Sequence, residues 1–339
     1  MDDDVQRSQF SELVRYSKPM LTAAGVITLI IMVIGVIGNL LTVVALVRHS
    51  KIRTVAAAFI ASLCISDLLF CFLVLPFAAS QFFHGTWIHG DILCTLVPMM
   101  RYGSVGVSLL SVATISINRY ILIAFPGLYP RIYTKLKVAI YIGIIWIFSY
   151  GLQIPTLFKI WGVFGFDNKL GTCSINPDEN GHSPKTALFV LGFALPCIII
   201  IICYAKIYWV VRKSHERLAQ HTTSVNTKRS EMHITKMVIV IFACFVVCYL
   251  PLTIVKVFDP DVHNAPIHVM GYILLYLACC VNPVIYVTMN KQYREAYLDT
   301  LRCRLVSNFD SNTPNVQNSK THMSVSYLRN VVFNSNPKV

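Results

Sequence analysis

Residues 22–47 read TAAGVITLIIMVIGVIGNLLTVVALV and contain no ionisable side chain. About 20 apolar residues are enough for a helix to cross the hydrocarbon core of a bilayer, because the helix satisfies its own backbone hydrogen bonds. Further long, predominantly apolar segments follow. The seven predicted spans are residues 22–47, 57–82, 91–123, 136–159, 186–212, 233–257 and 266–289. The pattern predicts an all-α membrane protein, a bundle of seven transmembrane helices.

The composition agrees with a chain that lies mostly within a membrane. Of the 339 residues, 55% are hydrophobic and 13% are charged, whereas a soluble domain carries about 25% charged residues. The spans and their connections therefore form one seven-transmembrane domain, residues 22–290. Residues 1–21 precede it, residues 291–303 are expected to form a short amphipathic eighth helix, and residues 304–339 are polar and expected to be disordered.

The distribution of Lys and Arg predicts the orientation in the membrane. If the N-terminus is extracellular, 20 of the 29 Lys and Arg residues lie on the cytoplasmic side and 7 on the outer side. Positive residues accumulate in cytoplasmic loops, so this orientation is favoured, with residues 304–339 as a cytoplasmic tail. The net charge of +13 then reflects topology and contact with anionic membrane lipids, and no nucleic-acid partner is expected.

Few ionisable residues lie inside the predicted spans, and each is a candidate functional residue because its burial in a membrane is costly. Asp67 has no second intramembrane Asp, which argues against an intramembrane aspartyl protease. Together with Asn39, Ser108 and Asn282, it predicts a polar cage for water or a sodium ion. The alternative is a hydrogen-bonded helix-packing network without an ion. No other cofactor is expected, and the histidines lack metal-ligand spacing.

Each predicted span contains its own short motif or marker residue. In chain order they are Gly38-Asn39, Asp67, Cys94, Asn118-Arg119-Tyr120, Trp146, Pro196, Tyr204, Phe245 to Pro251, and Asn282-Pro283-Val284-Ile285-Tyr286. Over residues 20–303 the chain thus resembles rhodopsin-class (class A) G-protein-coupled receptors. Within this class the Asn-Arg-Tyr triplet and Cys248-Tyr249-Leu250-Pro251 are most similar to the insect Moody and Trapped-in-endoderm receptors, while melatonin receptors are more distant.

The resemblance implies a switch at the cytoplasmic end of the bundle. Arg119 would pair with Glu231 at rest and would meet the G protein or Tyr204 in the active state. Most relatives have an acidic residue before the Arg, whereas Asn118 is neutral, so a raised basal activity is expected. The alternative is that Arg119 only reaches anionic lipid. The full set of predicted switch residues is Asn118, Arg119, Tyr120, Tyr204, Glu231, Phe245, Tyr249, Pro251, Asn282, Pro283 and Tyr286.

The resemblance also implies two covalent features and a second cytoplasmic partner. Cys94 and Cys173 occupy the positions that the family joins by a disulfide, and the oxidising extracellular side permits that bond. Cys303 follows the amphipathic segment and is a candidate palmitoylation site. Ser and Thr residues in the loop 213–230 and in the tail are candidate phosphorylation sites for arrestin recruitment.

The expected ligand is extracellular and anionic, or a lipid. Relatives that bind amines place an Asp seven residues after the Cys of the third span, and here that residue is Arg101. An opsin would need a Lys at the position of Tyr276. The predicted pocket contains Arg101, Tyr102, Lys256, His268, Tyr272 and Tyr276. The alternative role of Arg101 is a salt bridge to Asp91, Asp167, Asp178 or Glu179.

The predicted function is transmission of an extracellular signal to a heterotrimeric G protein at the plasma membrane. The Moody-like and Trapped-in-endoderm-like motifs further imply a role in cell migration or in organising an insulating cell layer. A melatonin-like receptor for a small neutral ligand is the main alternative. A transporter would show inverted repeats, which are not apparent, and an enzyme would need a catalytic set that the spans lack.

Overall fold

The computed structural model describes residues 17–168, 171–218, 225–259 and 262–302, with the backbone alone at residues 51, 213–218 and 225–235. Seven helices in this part of the chain are long and apolar enough to cross a membrane. We number them spans 1 to 7, and they comprise Lys18–Arg48, Val55–His84, Gly90–Ala124, Lys135–Leu157, Lys185–Arg212, Lys236–Phe258 and Ala265–Met289. The predicted fold class is confirmed, and each helix lies within a few residues of its predicted span.

Several spans contain more than one regular element. Span 2 consists of Val55–Leu73 and Leu75–His84, and span 4 of Lys135–Gly151 and Ile154–Leu157. Span 5 begins with Lys185–Phe189, continues as a π-helix over Val190–Ala194 and then as Leu195–Leu218, and the helix of span 6 covers Val225–Phe258. A 3₁₀ turn at Ser50–Ile52, a helical turn at Tyr129–Ile132 and the juxtamembrane helix Lys291–Leu301 complete the described helices.

Prolines explain the breaks in spans 2 and 5. Pro76 and Pro196 cannot donate the backbone hydrogen bond that a continuous α-helix requires. Span 2 therefore breaks at Val74, two residues before Pro76. In span 5 the wider π turn ends at Ala194, directly before Leu195 and Pro196. Pro251 and Pro283 lie inside the helices of spans 6 and 7, where each removes one donor without ending the helix.

Small residues allow the spans to pack closely. A Cβ atom on Gly38 of span 1 would lie 2.9 Å from Pro283 Cβ of span 7, and one on Gly103 of span 3 would lie 2.4 Å from Tyr150 Cε1 of span 4. Glycine is needed at both places because any larger side chain would separate the helices. Span 3 is central and packs on spans 2, 4 and 5, while spans 1 and 7 pack together and span 6 packs mainly on span 7.

A β-hairpin that the sequence analysis did not predict connects spans 4 and 5. Its strands β1, Val163–Asp167, and β2, Thr172–Asn176, are antiparallel, and Phe166 is paired with Cys173. The predicted disulfide is present and joins Cys173 to Cys94 at the start of span 3. We call the membrane face that carries this disulfide the disulfide face, and the opposite face, with Arg119, the triplet face.

The juxtamembrane helix confirms the predicted amphipathic eighth helix. The Asn290 side chain caps it by accepting hydrogen bonds from the backbone N–H groups of Gln292 and Tyr293. Tyr293 and Tyr297 are buried on the side that faces the bundle. The Tyr297 hydroxyl lies 2.5 Å from Thr42 Oγ1 of span 1, so this helix is anchored to the triplet face.

Candidate functional site

A cavity of about 510 Å³ opens among spans 3 to 7 near the disulfide face. Its size is within the range of sites that bind small molecules. Most of its wall is apolar, but three of the described lining residues are cationic and none of them is acidic: the cations are Arg101 on span 3, Lys185 on span 5 and Lys256 on span 6. The sequence analysis proposed Arg101 and Lys256, together with Tyr102 and Tyr272, and the structure brings these four together.

Arg101 is buried, with 5% of its surface exposed. Its guanidinium donates a hydrogen bond to the backbone carbonyl of Cys173 over 2.9 Å. Its Cζ atom also lies 5.5 Å from the centre of the Tyr102 ring and 5.7 Å from that of Tyr272, while Lys256 Nζ lies 5.1 Å from the Tyr272 ring. These contacts are cation–π interactions. In the described part of the chain the neighbours of Arg101 are this carbonyl, the rings of Tyr102 and Tyr272 and the hydroxyl of Tyr276, rather than a carboxylate.

His268 and Tyr276 are not among the described residues that line the larger cavity, although Tyr276 remains a hydrogen-bonding neighbour of Arg101. Both line a separate cavity of about 30 Å³, large enough for one water molecule, which shares Tyr272 with the larger cavity. His268 is 1% exposed, and its Nε2 atom lies 3.2 Å from Asp259 Oδ2. The imidazole is therefore directed to the turn between spans 6 and 7 and away from the larger cavity.

Asp259 organises that turn. Its carboxylate accepts hydrogen bonds from the backbone N–H groups of His263 and Asn264, over 2.8 and 2.9 Å, in addition to its contacts with the two histidine rings. The amide hydrogen bonds stabilise the charged carboxylate and thereby lower its pKa below the ordinary value. The turn holds the disulfide-face ends of spans 6 and 7 together.

A polar cluster lies deeper in the bundle. Asp67 is 4% exposed, and its two carboxylate oxygens accept hydrogen bonds from Ser108 Oγ over 3.1 Å and from Asn282 Nδ2 over 2.9 Å. Asn39, which the sequence analysis placed in this cage, instead donates to the backbone carbonyls of Gly35 and Cys279. Its side chain links spans 1 and 7 where the two helices meet, and its Oδ1 atom is buried without a hydrogen-bond partner in the described structure.

The same cluster has unused acceptor atoms. Asn282 Oδ1 and Ser111 Oγ, the latter one helical turn after Ser108, are buried and have no hydrogen-bond partner in the described structure. A carboxylate with nearby amide and hydroxyl oxygens is the donor set that a hard cation such as sodium prefers. The described residues contain no cluster of three or more His, Cys, Asp or Glu side chains that would hold a metal ion.

At the triplet face the three triplet residues have different surroundings. Asn118 is fully buried and its Nδ2 atom donates to the Tyr129 hydroxyl over 3.1 Å, which ties span 3 to the following loop. Arg119 is 3% exposed, and the Tyr120 ring centre lies 5.5 Å from Lys206 Nζ on span 5. The predicted partner Glu231 lies within the helix of span 6, but its side chain is outside the described residues, as is Cys303.

Aromatic residues connect the cavity with the triplet face. Tyr249 lines the cavity and stacks on Phe245 one helical turn closer to the triplet face, with ring centres 5.4 Å apart and ring planes 6° apart. Tyr286 is completely buried, its ring lies 5.4 Å from Tyr293, and its hydroxyl has no partner in the described structure, nor does that of Tyr204. These two hydroxyls are the groups that the family resemblance brings together in the active state.

Lys185 and Tyr129 are among the residues of the site that were not predicted from the sequence. Lys185 was counted among the charges of an outer loop because it directly precedes the predicted fifth span, residues 186–212. Its position at the start of a span, beside the disulfide face, is a signal that it borders the cavity. Tyr129 carries no sequence signal of its own, because its contact with Asn118 depends on how the loop after span 3 folds back.

Comparisons with known proteins agree with this architecture. Residues 38–286 match the family model "7 transmembrane receptor (rhodopsin family)". The crystal structure of squid rhodopsin superimposes with a TM-score of 0.76 at 24% sequence identity, covering 87% of this chain and 89% of that chain. At this identity the likeness establishes the fold alone.

Several relatives have higher sequence identity. "G-protein coupled receptor moody" of Drosophila melanogaster is 47% identical over 85% of this chain and 52% of its own length. "Protein trapped in endoderm-1" of the same species is 37% identical over 81% of this chain and 76% of its own length. Human "Melatonin receptor type 1B" is 27% identical, with coverage of 82% and 77%. The chain spans about half the length of the moody proteins it matches.

These matches confirm the predicted resemblance, including its order, with the moody and trapped-in-endoderm proteins ahead of the melatonin receptors. They also confirm that the chain is a receptor and not an enzyme, because the matching family model and the moody relative are both described as receptors. A multi-pass plasma-membrane location agrees with the seven spans. The chain belongs to the rhodopsin family of seven-transmembrane receptors.

Proposed function

We propose that this receptor converts binding of an extracellular ligand in the larger cavity into activation of a heterotrimeric G protein at Arg119. The observation that carries the proposal is the packed core that runs from the cavity wall toward the triplet face and contains Tyr249, Phe245 and Tyr286. Tyr249 forms part of the cavity wall and stacks on Phe245, and the Asp67 cluster joins spans 2, 3 and 7 between the cavity and Arg119. A ligand therefore touches residues of the spans that must move.

The proposed mechanism is a shift between two populations of the bundle. A ligand that binds more tightly to the state with span 6 displaced outward raises the population of that state, in proportion to its differential affinity. Pro251 gives span 6 a point of bending because it removes one backbone donor. Displacement of span 6 would open the triplet face around Arg119, and Tyr204 and Tyr286 would then approach each other.

The orientation that this mechanism requires has the disulfide face outside the cell. Support comes from the disulfide itself, because such bonds persist in oxidising surroundings, and from the excess of Lys and Arg in the loops of the triplet face. Arrestin recruitment through the loop 213–230 and the tail, and palmitoylation of Cys303, belong to the same proposal.

We infer a physiological role in cell migration or in organising an insulating cell layer. The support is the 47% and 37% identity to the moody and trapped-in-endoderm proteins. A melatonin-like receptor for a small neutral ligand is a second candidate, supported by 27% identity to melatonin receptor 1B. Three cations in the cavity wall disfavour it, because a neutral ligand would leave their charges uncompensated.

The test is ligand-free nucleotide exchange on purified heterotrimeric G proteins by membranes that contain the full chain. We expect measurable exchange with at least one G-protein subtype, and loss of that exchange in Arg119→Ala at equal surface expression. Tyr208→Ala is a matched control because Tyr208 is 60% exposed on span 5, and it should leave exchange unchanged. Equal exchange by the unchanged chain and Arg119→Ala with every subtype would refute the proposal.

A further inference from the structure

The geometry points to a single-chain anionic amphiphile as the ligand of the larger cavity, with its head at the three cations and its hydrocarbon chain between spans 4 and 5. This inference rests on the proposed function in that it names the ligand class of the same site. The head would be a carboxylate or a phosphate, since both are anions that accept several hydrogen bonds from Arg and Lys. Three features of the cavity support it.

The first feature is the uncompensated positive charge at one end of the cavity. Arg101, Lys185 and Lys256 line the cavity, and none of the described lining residues carries a carboxylate. Arg101 and Lys256 share the ring of Tyr272 as a neighbour, and the Tyr272 hydroxyl is buried without a partner in the described structure. A buried charge is stable when it is paired. An anionic head at this place would pair with both cations and accept a hydrogen bond from the hydroxyl.

The second feature is the apolar arm of the cavity. Leu110 lines the cavity nine residues further along span 3 than Arg101, which corresponds to about 13 Å of helix rise. Phe148 and Leu152 of span 4 and Phe193 of span 5 complete this arm. Its depth and mostly apolar wall fit a hydrocarbon chain, while Ser149 and Gln153 are polar lining residues, each with one buried oxygen atom that has no partner in the described structure.

The third feature is an opening toward the bilayer between spans 4 and 5. Phe148 on span 4 and Phe189 on span 5 line the cavity, yet they are 41% and 37% exposed. Span 5 packs on span 3 rather than on span 4, so these two aromatic side chains are the main barrier between the arm and lipid. The β-hairpin covers the cavity from the disulfide face. There Arg101 donates to the backbone carbonyl of Cys173, and the Tyr102 hydroxyl lies 3.4 Å from Ser174 Oγ. An amphiphile would therefore enter from the membrane.

The volume sets the expected ligand size. At ~30 Å³ for each water-sized group, a cavity of about 510 Å³ holds roughly 17 groups of that size. A head of three to five atoms leaves room for a chain of about a dozen carbons. Longer chains would extend through the opening between Phe148 and Phe189.

The experiment measures direct binding to the full-length receptor, purified in nanodiscs of zwitterionic lipid. The probes are dodecanoate and dodecyl phosphate, with dodecanol and dodecyltrimethylammonium as neutral and cationic probes of equal chain length. We expect saturable binding of one or both anions and at least tenfold weaker binding of the alcohol and the cation. The tighter of the two anions identifies the head group. Equal binding of dodecanol and both anions would overturn the inference without any variant.

Variants locate the head and the chain. Arg101→Gln and Lys256→Gln should each weaken binding of the anions by roughly 10- to 100-fold, which is the affinity that one hydrogen bond to a charged group contributes. Arg101→Lys keeps the positive charge and should therefore reduce the affinity less. Lys18→Gln is the matched control, because Lys18 is an exposed cation at the disulfide-face end of span 1. A loss in Lys18→Gln equal to that in Arg101→Gln would place the head elsewhere and overturn the inference.

The arm is tested by filling it. Leu152→Trp should weaken binding of the twelve-carbon anions more than that of butanoate, because the larger ring occupies the space of the chain. Ile147→Trp is the matched control, since Ile147 is 75% exposed on the outside of span 4. An equal effect of the two substitutions would contradict the placement of the chain.

The binding assay contains no G protein, so the two proposals can fail separately. Saturable, charge-dependent binding without nucleotide exchange on any G protein would overturn the proposed function and leave the ligand class standing. Arg119-dependent exchange together with absence of binding by both anions would overturn the ligand class and leave the proposed function standing.

Discussion

The substitution Asn118→Asp should lower the basal activity of the receptor. Asn118 is fully buried beside Arg119 in the sequence, and its amide donates to the Tyr129 hydroxyl over 3.1 Å, while its Oδ1 atom has no partner in the described structure. A carboxylate at this position would be an acceptor for the same hydroxyl and would place a negative charge next to the guanidinium. Both effects favour the closed state, in which span 6 is not displaced outward. In this state the carboxylate, the phenol and the guanidinium are together and shielded from water.

The expected magnitude follows from the two interactions gained. A hydrogen bond to a charged group contributes about 1.5–3 kcal/mol, and the cost of burying the new carboxylate reduces the part contributed by the ion pair. A net stabilisation of the closed state by about 1.5 kcal/mol lowers the population of the open state roughly tenfold. Tyr129→Phe removes one neutral hydrogen bond of about 1 kcal/mol, and it should raise basal activity by roughly fivefold if that bond is specific to the closed state.

The assay is ligand-free nucleotide exchange at equal receptor density for the unchanged chain, Asn118→Asp, Tyr129→Phe and the double variant. The carboxylate retains Arg119 as a neighbour when the phenol is absent, so the double variant should fall between Asn118→Asp and Tyr129→Phe. Unchanged or higher exchange in Asn118→Asp, at unchanged expression and thermal stability, would refute the reasoning that the neutral triplet residue loosens the closed state.

Three further predictions concern stability, sodium and acid. Gly103→Ala should lower the melting temperature of the purified receptor, because the new Cβ would lie 2.4 Å from Tyr150 Cε1 and overpacking costs about 1–3 kcal/mol, whereas Gly143→Ala, with open space around it, should not. Replacing sodium by a bulky organic cation should raise basal nucleotide exchange in the unchanged chain and have no effect in Asp67→Asn, and an equal response in both would exclude a sodium site at this carboxylate. The amide hydrogen bonds that lower the pKa of Asp259 stabilise the fold fully above about pH 4, the unfolded value, and are lost at more acidic pH, so thermal melting should show less loss of stability below pH 4 in Asp259→Asn than in the unchanged chain.

The helical architecture follows directly from the sequence because the requirement in a membrane is simple. Each span needs enough consecutive apolar residues to cross the hydrocarbon core, and the predicted limits 22–47 and 266–289 differ by few residues from Lys18–Arg48 and Ala265–Met289. The hairpin between spans 4 and 5 was not predicted, because two strands of five residues carry little periodic signal. Its position depends on the disulfide and on the contact of Arg101 with Cys173.

The site was only partly predictable, because hydrogen-bond partners decide where a polar side chain points. The family positions located Asp67 and Asn282, which the structure joins, but Asn39 binds backbone carbonyls instead. His268 was assigned to the pocket and lies near the start of span 7. Asp259, nine residues earlier, binds the imidazole of His268 and directs this ring away from the larger cavity. Such choices among alternative partners depend on the three-dimensional packing of loops, which the linear pattern of apolar residues does not encode.

If the larger cavity and Arg119 are the two ends of one switch, thermodynamic reciprocity couples ligand binding to G-protein binding. If a cavity ligand favours G-protein binding, then a nucleotide-free G protein must raise the affinity for that ligand by the same factor. We would measure dodecanoate affinity in nanodiscs with and without a saturating G protein, for the unchanged chain and for Arg119→Ala. We expect the dodecanoate affinity to rise by roughly 5- to 150-fold in the unchanged chain and to stay the same in Arg119→Ala. Saturable binding with equal affinity in the presence and absence of G protein would contradict the coupling of the two sites.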